Sequence, residues 1–313
     1  MNIASIDIGS NTVLLLIAEV DVKNRTLNSI LNEYEAPRLG KGLKDDGSIS
    51  LEAIKKLETV LHKYKILIEQ YNCTKVFCTA TNAMRVAQNS SQIIIDIKDN
   101  LGIEIDVIDG DREAELTFLG ASTVLNDVDQ KIVVDIGGGS TEVIFGNKEK
   151  ILYKKSFPIG AVNTTERFIH GNVPTASEIN SLTEFVNNTF NELNRLGTRN
   201  IPLIAVAGTP TSLSAVNLGI SEYDENLVEG SVLTDEIIEK YIQYFSDHTV
   251  EQILLKYGKF LKGREDIILA GSIILKTVMK HTHNKQILVS GKGIRYGSII
   301  SYMNNYESGK KGI

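Results

Sequence analysis

Two short loops of similar composition follow apolar segments and carry the residues best suited to bind an anion. The first is Asp7-Ile8-Gly9-Ser10-Asn11-Thr12, and it recurs 128 positions later as Asp135-Ile136-Gly137-Gly138-Gly139-Ser140-Thr141. Glycine lets backbone N–H groups approach an anion, hydroxyl groups can donate further hydrogen bonds, and the leading aspartate can hold a metal ion or water. A single such turn would be an ordinary hairpin, but two copies with hydroxyl residues after the glycines predict a pair of phosphate-binding loops.

The segments after these loops distinguish them from other phosphate-binding motifs. Each loop is followed by another strand-like segment, whereas a Walker A loop or a dinucleotide fingerprint opens a helix. Neither GxxxxGK[ST] nor GxGxxG occurs in the sequence. The two loops are therefore predicted to be turns of β-hairpins.

Further candidate residues follow the ends of other predicted strands. Arg85, in Thr79-Ala80-Thr81-Asn82-Ala83-Met84-Arg85, could fork onto phosphate oxygens or form a salt bridge on a helix surface. Acids in Ile108-Asp109-Gly110-Asp111-Arg112-Glu113 could complement a helix dipole, or one could act as a base. Gly208-Thr209 again joins a strand to a glycine and a hydroxyl, now opening a helix. Ser290-Gly291-Lys292-Gly293-Ile294-Arg295-Tyr296-Gly297 places two cations amid glycines.

Each loop belongs to a repeating order of elements that would position these residues. Strands are predicted over 2–7, 12–20 and 26–35, then a helix with Ser50 as its N-cap, a strand over 75–79, a short helix over 82–88 and a strand over 103–109. A second β-β-β start runs from 131 to 157 and precedes a helix that opens with the capping box Thr175-x-x-Glu178. The fold class predicted is α/β, with two ribonuclease-H-like domains around a phosphate-binding cleft, the architecture of actin-like ATPases, sugar kinases and chaperone ATPases.

Length, composition and charge restrict the class of protein. A chain of 313 residues exceeds the roughly 250 to 300 residues of a single core, so two domains are expected. With 42% hydrophobic and 23% charged residues, the chain is neither disordered nor fibrous. The sequence shows no apolar run long enough to span a bilayer and no basic leader, and its two cysteines suit a reducing cytoplasm. The expected localisation is therefore cytoplasmic, without a membrane partner.

Charge is unevenly distributed along this acidic protein, whose net charge is −6. Residues 251–313 contain 11 basic and 4 acidic side chains, which indicates a locally cationic surface or simply a solvated face with a Lys310–Lys311 tail. Lys256, Lys259, Lys262 and Arg264 could line a polyanion track or lie on a solvated helix end. Nucleic acid is not expected as a partner, because the basic segment lacks interleaved aromatic residues on a strand face and the protein is acidic overall.

Taken together, these motifs resemble the exopolyphosphatase / guanosine pentaphosphate phosphohydrolase (Ppx/GppA) family over nearly the whole chain. The resemblance rests on the two loops, on the segments around Arg85 and Glu113, on Pro158-Ile159-Gly160-Ala161-Val162, on Gly208-Thr209 and on the C-terminal Gly-Ile-Arg-x-Gly. The length fits short, two-domain members. For such members it implies an N-terminal domain of 1–119 plus 295–313 and a C-terminal domain of 120–294.

The resemblance implies a Mg²⁺-dependent cytoplasmic hydrolase and a role for each matching residue. It would remove the terminal phosphate of polyphosphate or the 5′ γ-phosphate of guanosine pentaphosphate, the alarmone of the stringent response, and a homodimer is plausible. Glu113 would orient or deprotonate the attacking water, Arg85 would neutralise charge, and Glu142 would act beside the second loop. Asp7 and Asp135 would hold the metal ion. The phosphate-binding set is Ser10, Asn11, Gly137, Gly138, Gly139, Ser140, Thr141, Gly208 and Thr209.

Some departures and alternatives accompany this resemblance. Tyr296 stands where the family usually has an acid, and Pro210 stiffens the turn after Gly208. His281 and His283 are better explained as surface or capping residues than as metal ligands. The alternative functions are a non-catalytic sensor of guanosine tetraphosphate or pentaphosphate, and a nucleotide-dependent kinase or ATPase of the actin-like fold.

Overall fold

The computed structural model describes residues 1–43 and 47–307, which form two compact units. Unit 1 comprises Met1–Gly120 together with the segment that starts at Ile294, and unit 2 comprises Ala121–Gly293. The domain boundaries expected from the resemblance differ from these by one residue. The expected C-terminal stretch 308–313, with the Lys310–Lys311 tail, lies outside the described residues.

Unit 1 is a five-stranded mixed sheet with helices. Its strands are β1 (Asn2–Ile8), β2 (Val13–Asp21), β3 (Thr26–Glu35), β4 (Lys75–Ala80) and β5 (Asp106–Val107), in the spatial order β3-β2-β1-β4-β5. The first three strands form antiparallel hairpins, and β1, β4 and β5 run parallel. The helices are α1 (Leu51–Gln70), α2 (Asn82–Val86), α3 (Ser90–Leu101) and α4 (Gly110–Ala121). This is the predicted ribonuclease-H-like order.

The helix α1 has the N-cap and the apolar face that its sequence predicts. Ser50 is its N-cap, and the Ser50 hydroxyl accepts a hydrogen bond from Ala53 N at 3.2 Å. Its apolar positions, spaced by three and four, bury Leu57, Leu61 and Tyr64 against the sheet. The buried Tyr64 hydroxyl also donates to Val13 O at 2.9 Å, so a hydrogen bond connects α1 to the start of β2.

Unit 2 repeats the plan with six strands. They are β6 (Lys131–Ile136), β7 (Thr141–Gly146), β8 (Ile151–Phe157), β9 (Leu203–Val206), β10 (Val232–Thr234) and β11 (Gln286–Val289), in the order β10-β11-β9-β6-β7-β8. The helices are α5 (Ala161–Phe168), α6 (Ala176–Phe190), α7 (Gly208–Leu218), α8 (Glu225–Val228), α9 (Asp235–Asp247), α10 (Val250–Leu261) and α11 (Ile268–His281). The last helix, α12 (Ile294–Glu307), belongs to unit 1.

The structure contains the capping box that the sequence predicts in unit 2, but it differs from the prediction in several short elements. The predicted capping box at Thr175 is present, since Glu178 N donates to the Thr175 hydroxyl at 3.2 Å and Thr175 N donates back to Glu178 at 2.7 Å. Three helices, α3 of unit 1 and α5 and α8 of unit 2, have no counterpart in the sequence-based assignment, and neither has the short strand β10. The predicted strand over 103–109 is wrong in extent, because only Asp106–Val107 pairs with β4.

The expectation for His281 is also wrong. Its ring is 4% exposed, and its two nitrogens lie 2.7 Å from Asn194 Nδ2 and 3.1 Å from Asn187 Oδ1. Burial lowers the pKa of this imidazole below its usual range. His281 is therefore an interior hydrogen-bonding residue at the end of α11. Among the described residues, no helix combines the length and the apolar character that crossing a membrane requires.

Candidate functional site

The candidate residues of each unit follow the carboxyl ends of its parallel strands. In unit 1 the loop after β1, Arg85 after β4 and Glu113 after β5 lie in this position, and the three strands are neighbours in the sheet. In unit 2 the loop after β6 and Gly208 after β9 are placed in the same way. In open α/β sheets this edge is where ligands bind.

The two glycine loops have the same hydrogen-bonded turn. Gly9 N donates to Thr12 O at 2.9 Å, and Gly137 N donates to Ser140 O at 3.0 Å. The strand registers also correspond, because Ile8 pairs with Val13 as Ile136 pairs with Thr141. The internal repeat seen in the sequence is therefore a repeat of backbone geometry.

In unit 2 the loop is anchored through its carbonyl groups to the first turn of α5. Ala161 N donates to Gly137 O at 2.9 Å, and Val162 N donates to Gly138 O at 2.8 Å. Gly160 permits this approach, since a Cβ there would lie 2.5 Å from the carbonyl carbon of Gly138. Helix N-terminal N–H groups otherwise lack intrahelical partners, so the loop and the helix satisfy each other.

A side-chain amide completes the anchoring of this loop. Asn163 Nδ2 donates to Gly139 O at 2.6 Å, while Asn163 Oδ1 accepts from Gly160 N at 2.9 Å. One asparagine therefore ties the last glycine of the loop to the residue that precedes α5.

This anchoring fixes the direction of the loop's N–H groups. A trans peptide group points its C=O and N–H in opposite directions, and the described residues contain no cis peptide bond. Because the carbonyls of Gly137, Gly138 and Gly139 all point to α5, the N–H groups of Gly138, Gly139 and Ser140 point away from it. Three successive N–H groups with a common direction are the set of donors from which an anion-binding nest can be built.

The loop of unit 1 is anchored from behind in a similar way by a different segment. Gly40 N donates to Ser10 O at 2.7 Å, and Arg38 N donates to Asn11 O at 3.1 Å. A Cβ on Gly40 would lie 3.0 Å from Ser10 Cβ, which is a tighter contact than usual but less severe than that at Gly160. The same peptide geometry turns the N–H groups of Asn11 and Thr12 away from the 38–40 segment.

The arginine and the glutamate predicted from separate motifs form an ion pair in unit 1. Arg85 Nη1 lies 3.0 Å from Glu113 Oε2 and also donates to Ile108 O at 2.8 Å. Glu113 is buried, whereas Asp111 in the same helical turn is exposed. Glu113 is therefore a buried carboxylate held by a specific cation, and not a solvated acid that only complements the dipole of α4.

The acids of unit 2 face each other across the hairpin. Asp135 on β6 is paired with Glu142 on β7, and directly opposite residues of an antiparallel pair have Cβ atoms about 5 Å apart on one face. Both residues are buried, and the Ser156 hydroxyl donates to Glu142 Oε1 at 2.6 Å. No cluster of three or more His, Cys, Asp or Glu side chains suited to a metal ion occurs within 1–43 and 47–307.

The remaining predicted ligands occupy more varied positions. Asp7 lies on β1 opposite Leu14, so the first loop has no counterpart of Glu142. Ser10, Asn11 and Ser140 are largely buried in their turns. The hydroxyl of the fully buried Thr141 donates to Ile159 O at 2.7 Å, so its proton is used inside unit 2.

Gly208 and Thr209 are the first residues of α7, and each lies close to another part of unit 2. A Cβ on Gly208 would lie 2.6 Å from Arg264 Cζ, and Arg264 Nη1 also donates to the Ser212 hydroxyl at 3.1 Å. Thr209 is buried against Gly271 of α11. Ala207, just before the helix, has a φ of 75°, a left-handed conformation that strains a residue with a side chain.

The cations of the basic C-terminal region have diverse surroundings. Lys256 Nζ lies 4.1 Å from the ring centroid of Tyr244 and 5.1 Å from that of Tyr257. Arg295 is buried and donates to Leu15 O at 3.1 Å and to Asn32 Oδ1 at 2.6 Å. Arg295 therefore anchors α12 on the sheet of unit 1.

Reasoning from the sequence missed the residues behind the loops. Gly40, Gly160 and Asn163 hold the two turns, and Ser156 hydrogen-bonds an acid, yet none of them belongs to the glycine repeat. Gly160 was visible only as part of the resemblance. For Gly40 the available signal was a glycine-rich stretch, which predicts a loop and says nothing of what the loop contacts.

Comparison with known proteins identifies the family of this chain. The sequence profile of the Ppx/GppA phosphatase family matches residues 16–306. The bifunctional 3-dehydroquinate synthase/phosphatase of Fusobacterium nucleatum is 34% identical over 316 residues, and the match covers 96% of this chain. The chain spans about half of that relative, 46% of its length. Exopolyphosphatase 2 of Mycobacterium tuberculosis is 30% identical over 317 residues, covering 96% of this chain and 98% of its own.

A solved structure extends the match to three dimensions. The crystal structure of the Aquifex aeolicus member of the Ppx/GppA family superimposes with a TM-score of 0.82 at 31% identity, covering 98% of each chain. The resemblance drawn from the motifs and the predicted fold class are both confirmed. This chain belongs to the Ppx/GppA phosphatase family.

Proposed function

We propose that this phosphatase-family protein is a Mg²⁺-dependent hydrolase of terminal phosphoanhydride bonds. Its substrate would be linear polyphosphate or guanosine pentaphosphate, from which it removes the terminal phosphate or the 5′ γ-phosphate. The family and the relative named exopolyphosphatase support the reaction class.

The observation that carries the proposal is the anchored second loop. Three successive N–H groups, those of Gly138, Gly139 and Ser140, point away from α5 because α5 engages the loop carbonyls. A phosphoryl group in transfer spreads charge over its equatorial oxygens, and a nest of fixed donors can bind that charge without reorganising.

The Arg85–Glu113 pair supplies the group that would activate water. In the proposed step a water oxygen forms the new P–O bond while the bridging P–O bond breaks. Orthophosphate is released, and the shortened polyphosphate or guanosine tetraphosphate leaves as an anion that keeps the bridging oxygen. The water proton passes to the Glu113 carboxylate, whose orientation Arg85 holds through the 3.0 Å contact. Burial of Glu113 keeps bulk water from competing for that carboxylate.

The neighbouring Asp135 and Glu142 carboxylates suit a divalent cation. Magnesium usually binds proteins through one or two carboxylates and keeps several of its waters. The two acids opposite each other on β6 and β7 are therefore enough for a Mg²⁺ site. When bound, Mg²⁺ would neutralise phosphate charge and polarise a phosphoryl oxygen. Ser156 would hold Glu142 in the orientation that such a site needs.

A phosphate-release assay with purified protein and Mg²⁺ tests the function. Glu113→Gln should lower turnover by about 10²- to 10⁴-fold, the usual contribution of a general base. Glu115→Gln is the matched control, because Glu115 lies on the same helix, is partly exposed and pairs with Arg112 at 3.4 Å. Its turnover should stay within about twofold of wild type, as surface substitutions generally perturb little.

The same assay separates the candidate substrates and the alternative functions. Polyphosphates of increasing length and guanosine pentaphosphate are compared at equal phosphate-end concentration. No phosphate release from either substrate would contradict the proposal. Calorimetric binding of guanosine tetraphosphate without hydrolysis of the pentaphosphate would instead favour the sensor.

A further inference from the structure

The C-terminal Gly-Ile-Arg-Tyr-Gly segment forms the start of α12 and faces the interior of unit 1. Arg295 donates to the backbone of β2 and to Asn32 of β3. Tyr296 is buried with residues of β1 and β2, in the place where the family resemblance had suggested an acid. The segment therefore has a packing role within unit 1.

The same helix crosses α4 at unusually close range. A Cβ on Gly297 would overlap the carbonyl oxygen of Leu116 and lie 2.5 Å from its carbonyl carbon and 2.9 Å from its Cα. These are backbone atoms, which cannot swing aside as the end of a flexible side chain can. Ile294 packs against Leu116 in the same crossing.

A second contact lies closer to the start of α4. Arg112 Nη2 donates to the Ser301 hydroxyl at 3.0 Å, and Arg112 N donates to Asp109 Oδ1 at 2.7 Å. Glu113 is next to Arg112 and lies three residues before Leu116. The two contacts with α12 therefore lie on either side of Glu113 along α4.

We infer that α12 positions the Glu113 carboxylate and that Gly297 sets the distance between the two helices. Gly297 and Ser301 are positioning residues, since they touch α4 rather than a substrate. The inference rests on the proposed function, in which Glu113 activates water. A displacement of α4 by about 1 Å is enough to lower the catalytic rate by up to about 100-fold.

Kinetics of Gly297→Ala test this inference against a matched glycine. Gly293→Ala is the control, because a Cβ there meets no atom within 4 Å although Gly293 lies only four residues earlier. Gly297→Ala should lower kcat about tenfold or more with KM within about twofold, while Gly293→Ala keeps wild-type values. In a Glu113→Gln background, Gly297→Ala should cause no further loss of kcat, because the group it positions is gone.

Two outcomes separate this inference from the proposed function. Wild-type turnover of Glu113→Gln would overturn the proposed role of Glu113 itself. An inactive Glu113→Gln together with equal kcat for Gly297→Ala and Gly293→Ala would overturn the positioning role alone. So would a loss of kcat from Gly297→Ala that persists unchanged in the Glu113→Gln background.

Ser301→Ala keeps the inference testable where Gly297→Ala does not fold. This variant removes the hydrogen bond to Arg112 and adds no volume to the crossing. We expect kcat about threefold lower with KM unchanged, as for the loss of one orienting hydrogen bond. Wild-type kcat in folded Ser301→Ala would overturn the inference.

Discussion

Gly160→Ala should detach the second phosphate loop from the helix behind it. The new Cβ would lie 2.5 Å from the carbonyl carbon of Gly138, 2.6 Å from its oxygen and 2.7 Å from Gly137 O. Ordinary van der Waals contact begins at 3.4 Å, so the loop has to move by about 1 Å. The hydrogen bonds from Ala161 and Val162, now 2.9 and 2.8 Å, would then exceed normal hydrogen-bond length.

The size of the effect follows from what is lost. Two hydrogen bonds contribute about 2 kcal/mol in total, and overpacking adds about 1 to 3 kcal/mol, so the free energy of unfolding should fall by about 3 to 5 kcal/mol. Since the nest directs its N–H groups only while the carbonyls are anchored, kcat/KM should fall by about 100-fold or more.

Steady-state phosphate release and thermal unfolding of a graded series provide the assay. Gly40→Ala brings a Cβ only to 3.0 Å from Ser10 Cβ, and Gly293→Ala meets nothing within 4 Å. The loss should therefore rank Gly160→Ala above Gly40→Ala, with Gly293→Ala equal to wild type. Equal activity of Gly160→Ala and Gly293→Ala, or a larger loss at Gly40, would refute the reasoning.

Three further predictions concern the ion pair, the acids and pH. Arg85→Lys should lower kcat about tenfold, because Arg85 Nη1 donates to both Ile108 O and Glu113 and the shorter lysine side chain cannot place its nitrogen there. Combined with Glu113→Gln it should give less than the summed loss, and additive effects in a double-mutant cycle would contradict this. Ser156→Ala should raise the Mg²⁺ concentration for half-maximal activity about tenfold through the lost 2.6 Å hydrogen bond to Glu142, and an unchanged Mg²⁺ titration would show that this hydroxyl does not orient the acid. Burial raises the pKa of Glu229, so its protonated form favours the folded state and stability is lost as pH rises through that raised pKa. Relative to wild type, Glu229→Gln should therefore gain in Tm as pH increases above the usual glutamate range, and a constant difference in Tm from pH 4 to 8 would refute this.

The sequence by itself determined the elements with a local physical signal. The glycine loops, the α1 N-cap and the Thr175 capping box depend on residues a few positions apart, so spacing alone revealed them. The repeat of strand, loop and strand, with antiparallel hairpins, likewise predicted two ribonuclease-H-like units. The short strand at 106–107 was overestimated, because pairing with β4 and not local propensity ends it.

Only the tertiary structure decided which residues contact the candidate catalytic side chains and the two glycine loops. Arg85 meets Glu113 because β4 and β5 are parallel neighbours, and Asp135 faces Glu142 because of hairpin register. The sequence names all four residues but not these pairs. Gly160 and Gly297 are important because other backbone segments approach them through space. Those segments are the loop at Gly138, 22 positions away, and the helix at Leu116, 181 positions away. Such contacts depend on how whole helices and strands pack, so they cannot be predicted from the residues that neighbour a glycine in the sequence.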